Sequence, residues 1–248
     1  MRRRALLSTA ATGAAALAGC LSAFEDAVSE SREYEFDLPD GARFRTAIDD
    51  GDVDVSTHGG DRVLVDAVVS VPNESRLGDV TVEAVREDDL LVDVRVDGAE
   101  RRVSVDLDVR LPAGTEVAVA RSWNGDVSVR DVAAAHGVGS ANGDVVVRDA
   151  GPVARAETTN GDVTADVPAL VDGEAVVRTE NGDADAALSA TVDAALSART
   201  QNGDVSVSGL ELADREASRT RVSGVLGDGA GEVTVASVNG DVTVTALE

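Results

Sequence analysis

SANGDVVV, residues 140–147, is one of six near-copies of a single phrase. The others are SWNGDVSV (122–129), TTNGDVTA (158–165), TENGDADA (179–186), TQNGDVSV (200–207) and SVNGDVTV (237–244). Their asparagines are Asn124, Asn142, Asn160, Asn181, Asn202 and Asn239, spaced by 18, 18, 21, 21 and 37 residues. Periods of this size mark solenoids and repeat arrays. An earlier cousin, Asp50-Gly51-Asp52-Val53, carries Asp in place of Asn. The last gap has room for one irregular rung, around Gly227-Asp228.

The columns around the motif extend the repeat. Two places before each Asn stands a hydroxyl: Ser122, Ser140, Thr158, Thr179, Thr200 or Ser237. Four places before stands Ala120, Val138, Ala156, Val177, Ala198 or Val235. After the motif come Val127, Val145, Val163, Ala184, Val205 and Val242, then a second small apolar residue two places on. Alternation of period two on both sides of a turn means two strands, each with one face in and one face out.

Asn-Gly between such strands is also a strong hairpin signal. Two architectures therefore compete: an antiparallel β-meander or sandwich with Asn-Gly at each tip, and a parallel β-solenoid (β-helix) of about 18–21 residues per rung with Asn-Gly at each corner. Column identity favours the solenoid, because stacked Asn side chains hydrogen-bond up a ladder at the ~4.8 Å strand spacing, as stacked hydroxyls can. The glycines Gly125, Gly143, Gly161, Gly182, Gly203 and Gly240 fit a corner, where a Cβ at positive φ costs ~1 kcal/mol or more. The aspartates Asp126, Asp144, Asp162, Asp183, Asp204 and Asp241 form a column whose neighbours repel by roughly 1 kcal/mol per pair in water. The structural reading is that each caps N–H groups of its own corner. The functional reading is an edge that takes weak cations.

Residues 35–115 differ in texture, with longer, more charged alternating strands such as LLVDVRVDG and RRVSVDLDVRLPAG. They read as the first rungs or a capping sheet, since a solenoid must hide its open ends. Residues 116–248 hold the repeats. No proline- or serine-rich linker divides 35–248, which reads as a single domain.

The core this chain can build is narrow. Aromatics are 2% of 248 residues, and Val and Ala dominate the apolar positions. The charge is extreme: 46 acidic residues against 22 basic ones, all Arg, for a net −24. Such a surface repels nucleic acid and opposes compaction unless salt screens it, which at 1 M happens within ~3 Å. Abundant acids without lysine resemble the proteins of extremely halophilic archaea.

The N-terminus reads as an address. Arg2, Arg3 and Arg4 precede a small, apolar stretch too short to span a bilayer, which ends in Leu17-Ala18-Gly19-Cys20. This resembles a lipobox, in which cleavage before the cysteine frees it for lipid attachment, and Arg3-Arg4 resembles a twin-arginine export signal. A plain basic n-region for general secretion is the other reading of the arginines. The expected organisation is a signal peptide over 1–19, then lipidated Cys20 with a polar tether over 20–34. Cys20 is the sole cysteine, so no intramolecular disulfide forms.

Catalytic machinery is not legible. The two histidines, His58 and His136, sit in unrelated contexts and read as surface or turn residues. No cluster has metal-ligand spacing, no phosphate-cradling glycine pattern appears, and no cofactor is implied. Trp123, just before Asn124, is expected to pack at a corner, with sugar stacking as the other reading.

The Asp50-Gly51-Asp52-Val53 phrase, the Leu111-Pro112-Ala113-Gly114 turn and the Asn-Gly-Asp-Val copies resemble the "putative adhesin" domain family of unknown function, over about 35–248. The copy at Asn181 departs from the pattern, with Ala184 for Val. The resemblance implies a β-solenoid-like surface domain, often exported or membrane-linked, and supplies no catalytic residues. The expectation is a lipid-anchored lipoprotein on the outer face of the cell membrane. Its role would be non-catalytic adhesion, scaffolding or binding of a surface protein or polysaccharide, without nucleic acid. The alternatives are a polysaccharide-active β-helix enzyme and a cation-binding surface module.

Overall fold

The computed structural model describes residues 27–86, 89–96 and 103–247. The expected signal peptide and Cys20 lie outside them. Two sheets face each other across a core of small side chains, and each Asn-Gly-Asp phrase is the corner where the chain passes from one sheet to the other. Strand Glu116–Asn124 leads through Gly125 and Asp126 into Val127–Arg130. Val138–Asn142 leads likewise into Val145–Arg148, and Glu174–Arg178 precedes Ala184–Leu188.

Successive rungs stack in parallel and in register. Val145 sits between Val127 and Val163, and Val163 in turn beside Ala184. On the facing sheet Val138 lies between Ala120 and Ala156. All of these are buried. Alternation dictates this: every second residue points inward, and the interior is only as wide as two Val or Ala side chains. The largest fully buried side chains lie toward the two ends of the stack, Phe44, Leu90, Leu107 and Leu111 in the N-terminal part and Leu188 and Leu196 in the C-terminal part.

The sheets are mixed, not purely parallel. At the N-terminal end Arg62–Val71 runs antiparallel to both Val28–Asp37 and Ser104–Pro112, and Val80–Arg86 runs antiparallel to Leu90–Val96. At the C-terminal end Arg221–Leu226 runs antiparallel to Ala194–Arg199 and to Ala213–Ala217. These additions form three of the four sheet ends, and the parallel strand Val205–Val207 forms the fourth. Two expectations change as a result. From Val28 onward the anticipated tether is a strand, paired residue for residue with Arg62–Val71. The long gap before Asn239 holds an antiparallel hairpin, with Gly227 after its second strand, in place of an irregular rung.

Chain order and spatial order diverge at both ends. The strand Phe44–Asp50 lies between Leu90–Val96 and Glu116–Asn124, so the first rung is sandwiched by two later ones. The final strands Gly231–Ala236 and Val242–Ala246 likewise insert between the rung at 174–188 and the rung at 194–207. The asparagine bridges record this: Asn239 pairs with both Asn181 and Asn202.

Candidate functional site

The corner carries the most repeated polar groups. Each asparagine donates its Nδ2 hydrogen to the Oδ1 of the preceding rung: Asn142 to Asn124 at 2.8 Å, Asn160 to Asn142 at 2.8 Å and Asn181 to Asn160 at 2.9 Å. The series continues through Asn239 to Asn202 and begins at Asp50, which accepts from Asn124 at 2.8 Å. A carboxylate suits that first place, because it only has to accept.

The hydroxyls do not bond to one another. Ser140 Oγ donates to the Gly125 carbonyl at 2.8 Å, Thr158 to Gly143 at 2.8 Å and Thr179 to Gly161 at 2.8 Å. Own-corner capping by aspartate is also not the arrangement found. Asp126 Oδ1 accepts the backbone N–H of Asp144 in the next rung at 2.7 Å, and Asp144 accepts that of Asp162 at 2.8 Å. The pattern runs from Asp106 and Asp52 at one end to Asp241 and Asp204 at the other. Together with backbone bonds such as Gly125 N–H to Asn142 and Val127 N–H to Asp144, both at 2.9 Å, these contacts satisfy the corner's amides across rungs. One oxygen of each column aspartate that accepts is thus committed to the fold. Among the described residues no group of three or more His, Cys, Asp or Glu is placed to hold a metal ion.

The histidines serve turns and pairs. His58 bonds the Arg62 carbonyl at 2.8 Å and the Gly60 N–H at 3.1 Å, and His136 Nε2 lies 3.0 Å from Glu116.

The surface site lies one column away from the corner. Trp123 is 64% exposed and does not pack at the corner. Alternation along Glu116–Asn124 buries Ala120 and Ser122 and turns Arg121 and Trp123 outward. Across the sheet, Arg121, Gly139, Glu157 and Arg178 align in register. The residues just before each asparagine, Trp123, Ala141, Thr159 and Glu180, form the neighbouring column. Gly139 and Ala141 leave a hollow of about 310 Å³ with Trp123 and the charged side chains around it. Arg121 lies over the missing side chain: its Nε is 3.8 Å from where a Cβ on Gly139 would stand. Glu157 is paired to Arg155 at 2.9 Å. Arg121 and Arg178 make no ion pair among the described residues.

Reading the repeats for shared residues passes over this hollow, because what makes it is a departure. Three places before the asparagine the copies carry Arg121, Glu157, Arg178 and Arg199, and Gly139 and Ala236 break the run, Gly139 alone beside Trp123.

A stacked two-sheet solenoid with antiparallel ends defines the class of protein. The chain belongs to the Toastrack DUF4097 family, whose pattern matches residues 27–245. It is similar in fold to a putative cell adhesion protein from Clostridium sporogenes, at 12% identity and a TM-score of 0.51, over 89% of this chain and 100% of that one. A putative adhesin from Bacteroides fragilis aligns at 10% identity and a TM-score of 0.43, covering 90% of this chain and 98% of its own. A putative lipid binding protein from Parabacteroides distasonis aligns at 9% identity and a TM-score of 0.37, covering 89% and 97%. No curated protein matches the sequence.

Proposed function

We propose that the protein is a non-catalytic binding and adhesion module of the cell surface, tethered to the outer face of the membrane through lipid on Cys20. The observation that carries this reading is the exposed Trp123 over a hollow in a rigid, hydrogen-bonded sheet. An apolar ring held open to solvent on a stiff, acidic scaffold suits recognition, and binding residues gain from rigid support. The similarity in fold to a putative cell adhesion protein agrees with it. Arg3, Arg4 and the Leu17-Ala18-Gly19-Cys20 sequence support export and anchoring.

The test is fractionation followed by attachment. Wild-type protein should sediment with membranes and partition into detergent, and Cys20→Ala should appear in the medium. Cells carrying the anchored protein should attach to a glycan-coated or cell-coated surface more than cells lacking it. Equal attachment by both would overturn the adhesive role, and unchanged membrane partition of Cys20→Ala would overturn the tether.

A further inference from the structure

The geometry points to the Trp123 hollow as a binding site for an acidic oligosaccharide, one that presents a flat pyranose face and a carboxylate on its rings. This deepens the surface-binding reading and rests on it. Trp123 is the sole tryptophan of the chain and, in a protein with 2% aromatics, it stands 64% exposed. A large ring costs solubility when left bare, and its face suits the C–H face of a sugar ring. Gly139 and Ala141, at the same places in the next rung, leave the space such a ring would fill.

The charges select the ligand. Across a surface of net −24, Arg121 and Arg178 are cations without an ion-pair partner among the described residues, and Glu157 is already matched by Arg155. Arg121 stands beside Trp123 on one strand, and Arg178 lies three rungs along the same column, ~14 Å away at the strand spacing. Two guanidiniums at that separation fit carboxylates on different rings of a short chain, each able to take a forked pair of hydrogen bonds. Thr159 and Glu180 between and beside them offer partners for hydroxyls. A polyphosphate chain is disfavoured, because two arginines next to two glutamates do not offset dense negative charge within so acidic a field.

Trp123 reports on its own site. In the full chain purified in detergent, tetragalacturonate should shift the tryptophan emission saturably and shield it from acrylamide. Neutral cellotetraose should bind about a hundredfold more weakly, the loss of both charge-assisted contacts. Arg178→Gln should weaken tetragalacturonate by about tenfold and leave cellotetraose unchanged. Ala141→Leu, which fills the hollow from an outward position, should abolish the response to both. No saturable change, equal binding of the neutral sugar, or indifference to Arg178→Gln would each overturn the proposal. Attachment by cells carrying Trp123→Ala separates the two readings: if it persists undiminished, the sugar site falls and the surface role stands.

Discussion

The carbonyl oxygen of Gly125 lies 2.2 Å from the point where a Cβ on Gly143 would stand. The same approach recurs at Gly161, Gly182, Gly203 and Gly240, at 2.0–2.3 Å from the glycine carbonyl of the neighbouring rung throughout. Glycine is required at the corner chiefly because the backbones of adjacent rungs touch there, with a φ of 153° at Gly143 adding to the demand.

Gly143→Ala should therefore destabilise the protein by about 3 kcal/mol or more, since no side-chain rotation relieves a clash between backbone atoms. Gly59→Ala should be close to neutral, because nothing lies within 4 Å of its Cβ position. Thermal melts of the two variants beside the wild type check the contrast.

The asparagine ladder has a direction, so position decides the effect of exchanging Asn and Asp. Asn160 both donates to Asn142 and accepts from Asn181. Asn160→Asp puts two acceptors face to face and should cost about 1–3 kcal/mol at neutral pH. Protonation of the new carboxyl restores a donor, so that loss should shrink as pH falls. Asp50→Asn, at the accepting end, should change stability by less than about 1 kcal/mol. Denaturant titrations at two pH values check both.

Net charge of −24 and a stacked column of aspartates predict that folding follows ionic strength. The unfolding midpoint should climb with KCl and with NaCl alike. Calcium should do no more than its ionic strength explains, because one oxygen of each accepting carboxylate already holds a backbone N–H. Circular dichroism across salt series checks this; rescue at low salt by millimolar calcium alone would refute it.

Arg219 guards the exposed edge at the C-terminal end. Its carbonyl accepts the Val205 N–H at 2.8 Å, and its guanidinium pairs with Asp204. The hydrogen bond to Asp204 also pushes the Arg219 pKa further above its ordinary value. Arg219→Asp places like charges together and should free strand Val205–Val207 to pair with a second chain. Light scattering should then find larger, concentration-dependent species.

Much of this architecture was readable from residues alone. Hydroxyls, asparagines and glycines at fixed offsets announced a stack, because only registered rungs reward sameness at one position. The partners within the corner were less legible: Thr158 reaches a carbonyl and Asp126 an N–H of a different rung, and sequence shows periodicity without showing the offset of a bond. The antiparallel ends were hidden because alternation in Arg62–Val71 or Arg221–Leu226 is the same whichever way the strand runs. Proximity to Asn124 suggests a corner for Trp123, yet alternation from buried Ser122 turns it to solvent.

The insertion of the first and last rungs between later and earlier ones fixes where such a molecule can change length. A repeat added after Val242–Ala246 would have to displace a strand already held on both sides, and Phe44–Asp50 is held in the same way at the other end of the stack. Between Glu116 and Leu188 the rungs follow one another in simple succession. Duplication of one whole period there would slide in like a slat, carrying the outer hollow nearer to or farther from its closed ends. Relatives of differing reach should therefore vary in the middle and keep both ends.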